Sequence, residues 1–350
     1  MARERLISAD KQTPEEQQIS ESLRPQKLAD CVGQAQVVEQ LRIEMQAAQQ
    51  RTEPVDHVLL AGPPGLGKTT FAHVIANEMS ARIRITGGPA ITKPGDLMQW
   101  LTDMKRGDVL FIDEIHRLSK TVEEFLYSAM EDFRVDFTID SGVSGRTVNI
   151  PLPRFTLIGA TTRSGLLSAA MRDRFGLQFH FEFYTQDELT EVLRRSAAKL
   201  NVDSDSDALK TIASRSRGTP RVANRLLKRV RNYSEVRGDG KLTTPIVDEA
   251  LDLLQIDRLG LDELDRSFLR TLITNYSGGP AGIEALAASM GQERDTLEDV
   301  VEPYLLQMGF VIRTRQGRCA TKPAHDHLGL PFIPPSQSVT PEPDLFGDAP

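Results

Sequence analysis

Cysteine is nearly absent. Two in 350 residues, Cys31 and Cys319, exclude a disulfide scaffold or a multi-cysteine metal site and fit a reducing compartment. No apolar run approaches the roughly 18 residues of a membrane-spanning helix. The opening Met-Ala-Arg-Glu-Arg leads into polar sequence without the apolar stretch of a signal peptide, so a soluble cytoplasmic protein is expected. An excess of positive charge is also lacking: 42 Lys and Arg face 49 Asp and Glu, for a net charge of −7. That excludes a globally basic nucleic-acid coat, and any nucleic-acid site must be a local patch. No internal repeat is visible.

What is present is enough apolar sequence, 39%, for the cores of two or three domains. Residues 1–20 are a polar, Gln/Glu-rich arm, and residues 331–350 a Pro-rich tail expected to be disordered. Between them, apolar runs at 57–61, 108–112 and 155–160 read as buried strands. The helical spacing of Phe71, Val74, Ile75 and Met79, and the segment 121–132, read as intervening helices. This is an α/β pattern, a parallel sheet with helices on both faces, expected over 21–184. Residues 185–256 read as a small helical domain. After a link near 257–260 come further helices and the stretch Met308–Ala320, a hairpin with Gln316-Gly317 as its turn. Helices followed by such a hairpin predict a winged-helix domain over 257–330.

Gly62-Pro-Pro-Gly-Leu-Gly-Lys-Thr69 matches G-x-x-x-x-G-K-[ST] between an expected strand and an expected helix. Its backbone N–H groups and the helix N-terminus suit phosphates. Lys68 would reach the β and γ phosphates, and the Thr69 hydroxyl would ligate Mg²⁺. Farther on, Leu110-Phe-Ile-Asp-Glu114 is an apolar strand ending in two acids, at the sheet edge where open α/β folds bind ligands. Asp113 suits the outer sphere of Mg²⁺, and Glu114 the polarisation of an attacking water. No Asn-Lys-x-Asp segment is present, which favours ATP over GTP.

These motifs, with Val32-Gly-Gln34, Ala129-Met-Glu-Asp132, Leu157-Ile-Gly-Ala-Thr-Thr-Arg163, Arg172-Asp-Arg-Phe175, Arg217-Gly-Thr-Pro-Arg-Val-Ala-Asn-Arg225 and Glu302-Pro-Tyr-Leu305, resemble an AAA+ ATPase. More narrowly, the chain from about 20 to 330 resembles the RuvB family, bacterial motors of Holliday-junction branch migration in recombination and DNA repair. The resemblance implies a P-loop AAA+ domain, a helical lid and a winged-helix head, acting as a homohexamer on duplex DNA with a RuvA-type junction-binding partner and a possible link to a resolvase. It implies that Leu23 and Arg24 lie on the adenine side and that Gly65, Lys68, Thr69 and Thr70 hold phosphates and Mg²⁺. Thr162 would be the polar sensor beside the attacking water, and Arg221 would approach the γ-phosphate. Tyr184 would pack on the nucleotide at the joint between subdomains. Glu131, Asp132 and Phe133 would lie near the neighbouring subunit's nucleotide. Arg174 would be the arginine finger offered to that subunit.

Other segments have two readings. Residues 215–231 are rich in cations and hold no acid, but their helical spacing favours a lid helix over a DNA patch. His325-x-His327 lacks a third ligand, and Trp100 reads as core. Residues 134–152 alternate as a β-hairpin; it either covers the sheet or, by resemblance, docks the RuvA-type partner through Val148 and Ile150. In the winged helix, residues 303–325 hold no acid, so Arg313 and Arg318, with Arg294 before the preceding helix, are the DNA-backbone candidates; Arg315 ranks behind them. Two other functions compete with a DNA motor: a clamp-loader-like switch, opposed by the basic wing, and a regulator that only binds ATP, opposed by the intact Lys68, Asp113, Glu114 and Arg174.

Overall fold

Val58–Ala61 (β1), Val109–Asp113 (β3) and Thr156–Thr161 (β6) are the three expected strands, displaced by about one residue. In the computed structural model, which describes residues 21–139 and 146–332, they lie side by side. Two strands without a continuous apolar run complete a parallel sheet: Ile83–Gly87 (β2) and Leu177–His180 (β7). The order is β2-β3-β6-β1-β7, so these two are the edges, where one face need not be apolar. That is why they escape a search for buried strands.

The central strands alternate between two cores. Val58, Leu60, Val109, Phe111, Ile158 and Ala160 face one core, built with helices α1 (Ala35–Arg51) and α2 (Lys68–Glu78). Leu59, Leu110, Ile112 and Leu157 face the other, built with α3 (Pro94–Thr102) and α4 (Lys120–Glu131). Trp100 is half-buried on α3 against this second core rather than inside it. β4 (Arg134–Ile139) and β5 (Arg146–Pro151) form the expected antiparallel hairpin; its tip, 140–145, lies outside the described residues. Val135 and Ile150 face each other across it, Val135 buried and Ile150 packed on the second core. A short helix, α5 (Ala169–Asp173), precedes β7.

Four helices follow: α6 (Gln186–Lys199), α7 (Ser206–Ser214), α8 (Pro220–Arg237) and α9 (Thr244–Leu253). The cation-rich segment 215–231 supplies most of α8, whose Ala223, Leu226, Leu227 and Val230 are buried in the first core.

The chain parts into two units between Leu261 and Asp262. The second holds α10 (Glu263–Asn275), α11 (Ile283–Met290), α12 (Arg294–Thr296), a π-turn at Leu297–Val301 and α13 (Glu302–Gln307). The hairpin β8 (Val311–Thr314) and β9 (Gly317–Ala320) and a helix not foreseen, α14 (Lys322–Leu328), complete it. The hairpin turn is Arg315-Gln316, one residue earlier than expected. Gly317 begins β9 because a Cβ there would lie 2.4 Å from Ala281 O, where the 280s segment pairs with Arg318. His325 is buried with its Nδ1 2.9 Å from Pro331 O, and His327 stacks on Phe310.

Arg313 and Arg318 are direct cross-strand partners, a repulsive arrangement on its own. Fully buried Glu302 resolves it, accepting from Arg313 at 2.8 and 2.6 Å and from Arg318 at 2.9 and 3.2 Å. Burial alone would raise the Glu302 carboxyl pKa. The bonds from the two arginines outweigh it and hold the carboxyl below the ordinary glutamate value. A lowered native pKa contributes stability above the unfolded value that is lost as pH falls through the native one. Acid titration of the full chain should therefore show the second unit weakening below about pH 4.5, the ordinary glutamate range. Glu302→Gln should remove that acid-dependent loss and lower the plateau stability at pH 7 by about 2 kcal/mol. An unchanged acid profile in the variant, followed by circular dichroism, would refute the role given to Glu302.

A candidate nucleotide site at the ends of three adjacent strands

The strand order places the C-terminal ends of β3, β6 and β1 next to one another. From β1 the chain enters the loop Gly62–Gly67 and then α2, whose free N–H groups and dipole favour an anion. Gly65 has φ +83°, and a Cβ there would lie 3.2 Å from Arg221 Cβ; its carbonyl accepts from Arg221 N at 3.3 Å. Only glycine lets the loop meet the start of α8 this closely. Lys68 is buried, with Nζ donating to Gly62 O at 2.7 Å and Pro63 O at 2.9 Å. Burial lowers its pKa to about 8, against the pull of Glu114 and Asp113, which favour the ammonium.

β3 ends at Asp113, whose Oδ1 accepts from Glu114 N at 3.0 Å. Glu114 has φ +50°, a left-handed conformation uncommon outside glycine and asparagine. Its Oε2 accepts from Thr162 Oγ1, just past β6, at 3.1 Å. His116 stands beside it with Nδ1 3.2 Å from the same oxygen and 2.9 Å from Thr161 Oγ1. No role for His116 is legible in the sequence; its contact with Glu114 comes from the turn after β3.

A cavity of about 1130 Å³ joins these groups. Leu23, Arg24, Gly65, Lys68, Thr69, Thr70, Asp113, Glu114, Thr162, Tyr184 and Arg221 all line it. Tyr184 is buried, its hydroxyl donating to Leu66 O at 3.3 Å; burial raises its phenol pKa. The segment carrying Leu23 and Arg24 is held by Lys199 Nζ of α6, which donates to the carbonyls of Ser22, Leu23 and Arg24 at 3.1, 3.5 and 3.3 Å. The helical domain adds Arg194, Arg195, Lys199, Arg225 and Lys228 to the lining. Sequence alone gives these cations no role. The basic run of α8 is visible in it, but not which of its charges turn to the phosphate side.

Glu131, Asp132, Phe133 and Arg174 are not in this lining. Arg174 Nη2 donates to Glu131 Oε2 at 3.0 Å. Phe133 packs its ring edge-on to Phe155 and under Arg154, so its side chain serves this chain's own core. In the second unit, Arg294 pairs with Glu284 at 3.0 Å and Glu298 at 3.3 Å, and Arg318 adds Glu298 at 3.2 Å to its bonds with Glu302. The acids that neutralise the wing thus come from residues just before the acid-free stretch. Arg315, at the exposed turn, has no such pairing among the described residues.

A phosphate loop, two acids at a neighbouring strand end, a threonine hydroxyl bonded to one of them and a helical lid over one cavity define a P-loop AAA+ ATPase. The profile for the Holliday junction DNA helicase RuvB P-loop domain matches residues 23–181, the RuvB AAA lid domain 184–257, and the RuvB C-terminal winged-helix domain 258–329. The chain belongs to the RuvB family, a family of ATP-hydrolysing motors. It is 56% identical over 315 residues to the Holliday junction branch migration complex subunit RuvB of Kosmotoga olearia, covering 90% of this chain and 92% of that protein. To the protein of the same name from Pediococcus pentosaceus it is 54% identical over 330 residues, 94% and 98% of the two chains. The solved structure of the Thermotoga maritima RuvB Holliday junction branch migration motor superposes with a TM-score of 0.82 at 50% identity, covering 89% of this chain and all of that one.

The low pKa of Lys68 has a measurable consequence. Nucleotide phosphates favour the ammonium, so binding must raise this pKa, and affinity must fall as pH rises through the free-chain value. Titration with a fluorescent ATP analogue should show a constant Kd up to about pH 7.5. Above about pH 8 it should weaken by up to tenfold per unit until the bound-state pKa is reached. Lys68→Met should bind weakly with a flat profile. A parent chain with constant affinity from pH 7 to 9.5 would exclude this role for Lys68.

Proposed function

We propose that this chain forms a homohexameric ring on duplex DNA and couples ATP hydrolysis to Holliday-junction branch migration in recombination and DNA repair. The observation that carries this reading is the division of the candidate set: Lys68, Asp113, Glu114 and Thr162 share one cavity with Arg221, whereas Arg174 stands outside it against Glu131 and Tyr127, as a residue serving a neighbouring site would. Adenine packs between the Leu23–Arg24 segment and Tyr184, and the phosphates lie on the loop, where Lys68 leaves the Gly62 and Pro63 carbonyls for them.

The Thr69 hydroxyl and the Asp113 carboxylate are hard oxygen donors beside the phosphate loop, a set that suits Mg²⁺ when phosphates complete its coordination. When bound, Mg²⁺ neutralises phosphate charge. Glu114 orients the attacking water and takes its proton, and Thr162 holds the carboxylate in register. Arg221 links the γ-phosphate to the lid, so hydrolysis is felt by α8. Arg174 of the adjacent subunit neutralises charge on the transferring group, with Glu131, Asp132 and Phe133 forming the rim there.

The domain at 257–330 is the DNA contact, through backbone rather than base edges, because a motor that depended on sequence would stall. Arg315, half-exposed Arg313 and half-exposed Arg294 supply the phosphate contacts, and the more buried Arg318 braces the wing through Glu298 and Glu302. Relatives are named as subunits of a branch migration complex. A RuvA-type partner docks on the hairpin 134–152, with Val148 the apolar contact and Ile150 divided between partner and core; a resolvase joins the same assembly. ATPase activity measured with and without duplex DNA, and with a RuvA-type protein on a four-way junction, tests the whole reading. Stimulation by the partner on the junction supports it, whereas stimulation by a sliding clamp instead would make the chain a loader.

Two finer outcomes follow. Glu114→Gln and Arg174→Ala chains should each lose at least about 100-fold in turnover. Mixed in one ring they should recover part of it, because some interfaces then pair an intact Glu114 with an intact Arg174; mixed rings with no recovery exclude a finger in trans. Arg315→Ala should weaken duplex binding equally across sequences and reduce the slope of log K against log salt by about 0.9 for each phosphate it no longer neutralises. A change of sequence preference at constant salt slope would instead mark a base reader.

A further inference from the structure

Arg174 follows α5 and is held on three sides. Nη1 donates to Ala170 O at 2.7 Å, Nη2 to Glu131 Oε2 at 3.0 Å, and the guanidinium carbon lies 4.1 Å from the centre of the Tyr127 ring. A cation at this distance over an aromatic face is attracted by the ring quadrupole. The Glu131 pair is the weaker restraint, because that carboxylate is 56% exposed and screened by water. The ring is different, because its own position is fixed.

Tyr127 Oη donates to Glu123 Oε2 at 3.3 Å and lies 3.1 Å from Ser168 Oγ. Ser168 donates to the same Glu123 oxygen at 2.9 Å. Glu123 is buried, one turn before Tyr127 on α4. Ser168 is also the N-cap of α5, accepting from Met171 N at 3.1 Å. One hydrogen-bonded cluster therefore fixes both the ring under the guanidinium and the first turn of the helix that carries the arginine. A long side chain with several free rotors would otherwise have to be ordered at every encounter with the neighbour's phosphates.

We propose that Tyr127 is a positioning residue for hydrolysis in the adjacent subunit: its ring, locked by Glu123 and Ser168, presets the guanidinium of Arg174. This rests on the reading of Arg174 as a finger in trans. Tyr127 does not line the chain's own nucleotide cavity, so its loss should act on kcat and not on nucleotide affinity. In the full-length chain, Tyr127→Leu should lower kcat about tenfold with KM for ATP unchanged, and Tyr127→Phe, which keeps the aromatic face but loses the bonds to Glu123 and Ser168, should restore part of the rate and not all of it. Phenylalanines of increasing fluorination at position 127 keep the shape but weaken the face; kcat should fall stepwise with fluorine count, which a merely space-filling ring would not produce.

Mixed rings locate the defect. Tyr127→Leu with Glu114→Gln should exceed the mean of the two proteins alone, whereas Tyr127→Leu with Arg174→Ala should not, because Tyr127 and Arg174 then belong to one complementation group. A flat fluorination series, or recovery with Arg174→Ala, overturns the proposal. The control ring of Glu114→Gln with Arg174→Ala separates the two levels. If it fails to recover, the finger reading falls and takes this proposal with it. If it recovers while Tyr127→Leu behaves otherwise, only the role of Tyr127 falls.

Discussion

The arrangement of this molecule depends on three parallel strand ends lying side by side. β6 enters the sheet between β3 and β1, late in the chain, and closes a gap left by the crossover from β1 to β2. Gly62, Asp113 and Thr162 then sit at neighbouring strand ends although they are far apart in sequence. Parallel strands point all their carbonyl ends one way, so every loop after a strand opens on the same face. The glycine loop, the two acids and Thr162 line one cavity for that reason.

The second feature is the way buried charge is handled. Burial lowers the pKa of Lys68 to about 8, and two backbone carbonyls and two nearby acids favour its ammonium against that burial. Glu114 lies in a left-handed turn, its carboxylate bonded by Thr162 and approached by His116. Each is a group whose usual partner is water, fixed instead by protein, an arrangement that suits an arriving phosphate or water. The cost is local strain and desolvation, and the well-packed faces of the sheet carry it.

The two units solve their charge problems separately. In the first, cations of α6 and α8 converge on the cavity, giving a net-acidic chain a strongly cationic interior site. In the second, Glu302 is buried beneath two opposed arginines, so most of the wing's positive charge is internally compensated and the exposed turn residue Arg315 is left to face solvent. Counting charges along 303–325 could not reveal this, because the compensating acids lie in the π-turn and helix immediately before it.

Much was legible from the residues themselves. The loop motif, the apolar strand ending in Asp113-Glu114 and the alternation of 134–152 each depend on neighbours in sequence, so local chemistry reports them. The edge strands β2 and β7, α14 and the true hairpin turn were not, since half-exposed elements need no apolar run and Gly317 serves close packing on Ala281 rather than the turn. The sequence by itself determined the chemistry on offer: a phosphate loop, two acids, a threonine after the third strand and arginines of unknown direction. Only the tertiary structure decided where those arginines point. Arg221 faces the chain's own cavity, Arg174 lies against Tyr127 outside it, and Arg313 and Arg318 converge on Glu302. The direction of a long side chain is set by partners distant in the chain, and no local pattern encodes them.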